Sequence, residues 1–516
     1  MREIELKILL DDEQESTLRR SGVLMDQSVD GPRTQTLVSI YYDTADDALR
    51  RAGIALRLRR KGRAWVQTVK KSTVPISGGL SQPIEDEISV RGQNFALNRI
   101  GDDDLREEVI GLARAGMTPV SQTHLRRTTY VLQGQNGSRI ELAIDRGRVG
   151  GDVESAPFCE AELELLSGHP ADLFAMAERL FEAGPIRHSN LSKSARARMF
   201  LDTGQAIEAL APRKAKPITL HRKQTAEEAA RIALSECLDQ FLSNIPLTAQ
   251  SDNAKGPHQI RVGLRRLRSA ISAFRPVLGR GKIAPVADHA RDIAATVGRI
   301  RDLDVLAEEM VEPMVARHPD EPGFSILLAS IDERRRFVRE EVRAVLTGRD
   351  VTSFGFRTAG FLAGRGWLDP ADHGQTVRLA EPVVKLARRR LNGRWKALSA
   401  YGRRAADLSI DERHEMRKEI KKLRYVGEIF QSLFDAQKVK AFRSALRKLQ
   451  DDFGALNDVA MAEAHLLAPD GPGADDISAQ RAAGRLIGAA EAEAARLWPV
   501  TIVDWEALER LGPFWR

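Results

Sequence analysis

The chain has 516 residues, with 79 Lys and Arg against 72 Asp and Glu, a formal net charge of +7. That length predicts two or three domains, and a hydrophobic content of 42% excludes a wholly disordered chain. Two cysteines, Cys159 and Cys237, exclude a disulfide framework or a Cys-rich zinc module and fit a reducing compartment. The opening MREIELKILL lacks the regions of a secretory leader, and no apolar run approaches the roughly 20 residues that span a bilayer. A cytoplasmic protein with no membrane partner is expected.

Up to about residue 200, short runs of period-two alternation, separated by Gly, Asp, Asn and Pro, predict strands. They are Arg2–Leu9, Ile54–Arg60, Trp65–Lys71, Arg139–Asp145 and Phe158–Leu165. In the first, Glu3, Glu5 and Lys7 share one face and Ile4, Leu6 and Ile8 the other. Arg57 and Arg59 share a face, as do Thr68 and Lys70, then Arg139, Glu141 and Asp145, then Glu160, Glu162 and Glu164. One such strand reads as a solvent face. Several, with acids and bases mixed, predict a barrel whose charges line the lumen while the apolar faces pack outside against helices. Carboxylates from different strands suit hard divalent cations such as Mg2+ or Mn2+, and Arg and Lys across the lumen suit phosphate oxygens. Together they are the composition of a phosphoryl-transfer site. Cys159, turned away from Glu160 by alternation, reads as packing, and His124 and His188 read as structural.

Ala211–Ile218, with two prolines and three basic residues, reads as a linker. Beyond about 220 the pattern becomes helical, as in Gln224–Leu242 and Arg378–Leu398. Residues 1–202 carry 28 basic and 30 acidic side chains, so 203–516, with 51 and 42, hold the whole positive excess. Such an excess favours a polyanion partner. The segment HQIRVGLRRLRSAISAF from His258 is matched without a gap by HEMRKEIKKLRYVGEIF from His414, at an offset of 156. The same offset pairs Ile293 with Leu449, Gly298 with Gly454 and Asp302 with Asp458. His258, Arg261, Arg265 and Arg268 lie along one helix face, as do His414, Arg417, Lys421 and Arg424. Like charges so placed repel, so two pseudo-symmetric stripes facing a shared groove or pore are expected. Metal binding by the histidines is disfavoured, because Val262 and Lys418 occupy the i+4 positions. Nucleic acid is not expected, since 5% aromatic residues leave few stacking platforms.

The twice-present H-x-x-R-x-x-x-[RK]-[RK]-x-R pattern resembles the CHAD domain over about residues 218–512. That resemblance implies two four-helix-bundle-like halves around a basic surface that binds inorganic polyphosphate. The residues it implicates are His258, Arg261, Arg265, Arg266 and Arg268, then His414, Arg417, Lys421, Lys422 and Arg424. The first-strand E-x-E-x-K is followed in order by YYDT (Tyr41–Thr44), ALRLR (Ala55–Arg59), TVK (Thr68–Lys70), IELAIDRG (Ile140–Gly147), ELEL (Glu162–Leu165) and LSKSARA (Leu191–Ala197). This set resembles the CYTH domain, the triphosphate tunnel metalloenzymes, over about residues 1–203, leaving 204–217 as the linker. The expected fold class is α+β in two domains: an N-terminal antiparallel β-barrel or tunnel with flanking helices, and an all-α duplicated helical bundle.

The second resemblance implies metal-dependent hydrolysis of inorganic triphosphate to diphosphate and phosphate. Glu3, Glu5, Asp145, Glu160 and Glu162 are the implied metal ligands. Lys7, Arg57, Arg59, Lys70, Arg127 (or its neighbour Arg126), Arg139 and Lys193 are the implied triphosphate contacts. Glu3, Glu5, Lys7 and Lys70 are the catalytic candidates, Lys70 as base or leaving-group stabiliser. Glu164 continues the acidic face. Pro83-Ile84-Glu85-Asp86-Glu87 keeps the acids of a further family strand without its preceding arginine, which leaves substrate choice open. The alternatives are thiamine triphosphate, a nucleoside triphosphate, or cyclisation of ATP as in adenylyl cyclases. From a different class comes a polyphosphate-binding, granule-associated protein with minor activity.

Overall fold

The computed structural model describes residues 4–62, 64–71, 80, 81 and 83–516. Backbone contacts divide the chain into two compact units. One is Met1–Ala211 with Ile245–Ala249 and Thr347–Gly366; the other is Pro212–Asn244 with Gln250–Leu346 and Trp367–Arg516.

The described strands of the first unit are β1 (Glu5–Leu9), β2 (Arg33–Asp43), β3 (Ile54–Lys61), β4 (Ala64–Lys71) and β5 (Leu80–Ser81), then β6 (Ile84–Val90), β7 (Thr118–Gln133), β8 (Arg139–Gly150), β9 (Ser155–Ser167) and β10 (Arg187–His188). They pair in the order β10-β1-β9-β8-β7-β2-β3-β4-β6, all antiparallel, and β5 pairs with β1. Because β5 leads directly into β6, that pairing brings the two edges of the sheet together and curls it into a barrel. An ion pair of 3.3 Å from Lys70 on β4 to Glu5 on β1 spans the lumen. The register sets the charges in rows: Glu5 opposite Glu164, Lys7 opposite Glu162, Asp145 between Arg127 and Glu160, Lys70 opposite Glu85.

Period-two alternation turns Leu6, Ile8, Leu56, Val69, Ile144, Ala161 and Leu163 to the outside, where all are fully buried. Leu56 and Val69 pack with Leu105 and Val109 of the helix Asp103–Ala113. The lumen is not charged throughout, as the alternation alone would have it. Leu37, Leu125 and Phe158, on the same faces as Ser39, Arg127 and Glu160, form an apolar layer with Ala197 of the helix Lys193–Thr203. The Ser192 hydroxyl accepts the Ala195 N–H at 3.1 Å and fixes the start of that helix; Gly204, at φ 74°, ends it.

The helix Arg349–Ala363 lies within the range expected for the helical domain, yet it belongs to the first unit. Ser353 Oγ and Arg357 Nε donate to Glu178 at 2.7 and 2.8 Å on the helix Pro170–Leu180. The Phe356 ring packs against Phe181 and His188, and Gly360 lies so close that an added Cβ would sit 3.1 Å from Phe174. Helical periodicity predicts that a face is buried; it does not say against what.

The second unit is helical, including Lys255–Leu278, Ala284–Val305, Ile410–Phe430, Ala436–Leu466 and Ile477–Leu511. Phe274 and Phe430, equivalent in the repeat, meet edge to face at 5.5 Å. Ser409 and Glu412 form a capping box at the start of the second motif helix. Among the described residues no helix is long and apolar enough to cross a membrane.

Candidate functional site

The lumen holds a cavity of about 210 Å3. Seven basic and five acidic side chains supply twelve of its seventeen lining residues. Its volume is below the range of drug-sized pockets and suits a compact ion.

The acids and bases are not mixed at random. Lys193, first residue of its helix, places Nζ 2.9 Å from Asp145, 2.6 Å from Glu160 and 2.7 Å from Glu162. Arg127 bridges Asp145 and Glu162, each at 2.6 Å. Lys7 reaches Glu5 at 2.9 Å and Glu162 at 3.5 Å. Burial alone would raise the acids, but the cations outweigh it. Lys193, Lys7 and Arg127 hold Glu162 well below the ordinary carboxylate range, and Lys193 and Arg127 lower Asp145. Lys7 and Lys70 lower Glu5. Glu164 goes the other way: burial, then Glu141 and Glu5, push it up to about 7. Oxygens of Asp145, Glu160 and Glu162 lie within 4.8 Å of one another, an all-carboxylate donor set that fits a hard divalent cation.

Across the lumen Arg57 pairs with Glu85 at 3.3 Å and Glu87 at 3.4 Å. Arg59 beside it is 5% exposed, donates to the Ser39 hydroxyl at 3.1 Å, and makes no ion pair among the described residues. Burial, and next the neighbouring Arg57, lower its guanidinium to about 10.

Glu5, Lys7, Arg57, Arg59, Lys70, Arg127, Glu162 and Lys193 thus line one cavity, with Asp145 and Glu160 buried behind Lys193. Of the ambiguous pair, Arg127 faces the lumen and Arg126 is exposed outside. Arg139 is exposed at the end of β8 and is not part of the cavity; six residues from Asp145 in a strand is about 20 Å. Lys70 bridges Glu5 at 3.3 Å and Glu85 at 2.9 Å. Glu3 lies outside the described residues. Tyr41, Lys61, Glu85, Glu87, Ser192 and Ser194 also line it, without having been assigned a role, and Ala55, Thr68 and Glu164 complete the lining. For Lys61 the signal was present, as it continues the Arg57, Arg59 alternation. Cys159 is buried, its thiol pushed up to about 12 by burial and Glu15, as a packing residue would be.

In the second unit, Arg261 and Arg265 on one motif helix and Arg417, Lys421 and Arg424 on the other act on one another's charge, with His258 beside Arg261 and Arg265. The repeat holds in its pairing. Arg261 donates to Asp302 at 2.6 Å, and Asp458 is the leading opposite charge on Arg417. Three motif residues turn elsewhere. Arg266 is buried and bonded to Gln240 at 2.6 Å, Arg268 faces Arg291, Asp288 and Asp292, and exposed Lys422 pairs with Glu419. Arg266 and Lys422 each follow a stripe residue by one position, about 100° around the helix, and so lie off the i, i+3, i+7 face. His414 heads the second stripe, one turn before Arg417.

Residues 1–197 match the family model of the CYTH domain, and residues 232–467 that of the CHAD domain. Two uncharacterized proteins of Mycobacterium tuberculosis, from strains CDC 1551 / Oshkosh and ATCC 25618 / H37Rv, are 26% identical over 459 residues, 85% of this chain and 84% of theirs. An inorganic triphosphatase of Haemophilus influenzae is 30% identical over 166 residues, 31% of this chain and 44% of that protein. The crystal structure of a CHAD domain from the plant Ricinus communis is similar with a TM-score of 0.50 and 23% identity, over 58% of this chain and 98% of that one; the likeness is of fold.

Proposed function

We propose that this chain, a CYTH domain followed by a CHAD domain, hydrolyses inorganic triphosphate to diphosphate and phosphate in its barrel and binds inorganic polyphosphate along its basic groove. The observation that carries the first part is Arg59. A buried guanidinium with no ion pair among the described residues costs the folded state several kcal/mol, and an anion in the cavity relieves that cost. Arg57, Arg59 and Arg127 supply fork-shaped donors for phosphate oxygens, with Lys7 and Lys70 as further donors. Twelve charged residues of seventeen leave little apolar surface for an organic substituent, which favours the inorganic substrate.

The family uses a divalent metal, and the clustered Asp145, Glu160 and Glu162 carboxylates fit a hard ion such as Mg2+ or Mn2+. When bound, such an ion supplies charge neutralisation at the phosphates and an activated water. Lys193 and Arg127 keep Asp145 and Glu162 ionised and fix their orientation; Arg59 and Arg57 hold the substrate opposite them. The apolar layer of Leu37, Leu125 and Phe158 keeps water from that side of the lumen.

The test is phosphate release by the purified protein with Mg2+ or Mn2+, from triphosphate, ATP, thiamine triphosphate and long-chain polyphosphate in parallel. Preferential, EDTA-sensitive turnover of triphosphate supports the reading, and no release from any substrate refutes it. The groove is tested separately: Arg261→Gln with Arg417→Gln in the full chain should lose polyphosphate retention and keep triphosphate turnover.

A further inference from the structure

Resting on the groove's proposed role as a polyanion site, we propose that it takes up its anion together with one proton, which the Lys421 amine accepts from solvent to become ammonium. Five cationic positions from two helices meet here, Arg261, Arg265, Arg417, Lys421 and Arg424: Arg265 of one helix and Arg424 of the other lie 5.3 and 4.5 Å from the centre of the same Tyr425 ring, and all four arginines act on Lys421. Four of the five are arginines, which do not give up a proton in proteins. Mutual repulsion can therefore be relieved by proton loss only at the lysine, which stands where the first repeat has Arg265.

Nothing else on the neighbouring elements neutralises it. Among the described residues Lys421 makes no hydrogen bond or ion pair. The nearby acids are engaged with arginines: Asp302 of the helix Ala284–Val305 with Arg261 at 2.6 Å, Glu428 on its own helix with Arg424 at 3.6 Å, and Asp458 of the helix Ala436–Leu466 acting on Arg417. Glu419, on the flank turned away, holds Lys422 at 2.6 Å and Arg394 of the helix Val383–Gly402 at 3.6 Å. The Tyr425 ring, one helical turn after Lys421 in sequence, lies under Arg265 and Arg424. Burial first, then Arg417, Arg265, Arg424 and Arg261, push the Lys421 amine down to about 7. A phosphate chain laid along the arginines reverses the sign of that field, and the amine protonates.

The experiment is calorimetric titration of the full-length protein with long-chain polyphosphate at pH 8, in two buffers of different ionisation enthalpy. Uptake approaching one proton per site is expected for the parent and for the His258→Gln, His414→Gln double variant. Lys421→Arg should bind with uptake near zero. Parent affinity should fall by up to tenfold per pH unit between pH 7 and 9, and that of Lys421→Arg should stay flat. Equal uptake by parent and Lys421→Arg, or loss of uptake with the histidine pair, overturns the inference. Amine labelling of the parent at pH 7.5 needs no variant: Lys421 should react faster than the exposed Lys422 and be protected by polyphosphate, and sluggish labelling overturns it. Absence of polyphosphate binding at every pH would refute the groove's proposed role, and this inference with it.

Discussion

Arg59→Met puts the anion-receptor argument at risk directly. Burial and the neighbouring Arg57 lower this guanidinium to about 10, which at 1.36 kcal/mol per pH unit means that the folded state disfavours the charged form by about 3 kcal/mol. The sign follows from linkage: a cation whose folded pKa is depressed destabilises the fold at all pH values below about 10, and the penalty is relieved only above it. At 5% exposure, solvent does little to screen the effect. Methionine keeps the length and removes the charge, so in an anion-free buffer the variant should be more stable by up to about 3 kcal/mol, less the lost bond to Ser39. The thermal midpoint of the first unit should rise by roughly 5–10 °C. Triphosphate should stabilise the parent strongly and the variant weakly, and KM for triphosphate should rise on the order of 10- to 150-fold, the worth of a charged hydrogen bond. Scanning calorimetry with and without triphosphate reads both effects. A variant less stable than the parent in the absence of anion would show that Arg59 holds the barrel together, and would refute the reasoning.

Glu5→Gln should lower kcat at least a hundredfold while leaving the circular dichroism spectrum unchanged; parent-like turnover would remove Glu5 from the metal set. Phe356→Ala, which empties a buried site against Phe181 and His188, should cost about 3–5 kcal/mol in the first unit, read by denaturant unfolding. For the same reason a fragment ending at Ala211 should be less stable than the full chain, and adding back a peptide of residues 347–366 should restore part of the loss. Glu164 and Glu141 have raised folded pKa values, so the native state binds more protons than the unfolded one between about 4 and 7. Stability without ligand should therefore fall as pH rises through that window, and Glu164→Gln should flatten the fall in a melting series.

Period two made the lumen legible in sequence. Glu5 and Lys7, Arg57 and Arg59, Thr68 and Lys70, and Glu162 and Glu164 all face one cavity because alternation is a property of the backbone. The 156-residue repeat was legible for the same kind of reason, and the meeting of Phe274 with Phe430 is its three-dimensional trace. What alternation does not carry is depth along the strand, which is why Arg139 was grouped with Asp145 although it sits at the strand's end. Nor does it carry partners. The embrace of Lys193 by three carboxylates joins a helix start to two strands, and nothing in the repeated motif shows that its Arg266 is bonded to Gln240. That no described residue forms an ion pair with Arg59 is invisible in one dimension.

The return of residues 347–366 to the first unit has a consequence for synthesis. Emerging from the ribosome, the barrel strands are all present by residue 188, but the helix that covers Phe174 and Phe181 arrives about 150 residues later than Ala211. At 5–20 residues per second that is a wait of roughly 10–30 s with an apolar face open. The nascent barrel must persist uncovered, or be held by another factor, until about half of the helical half has been translated. The N-terminal half therefore cannot finish folding before the C-terminal half begins, and the order of synthesis ties together two units that share no strand.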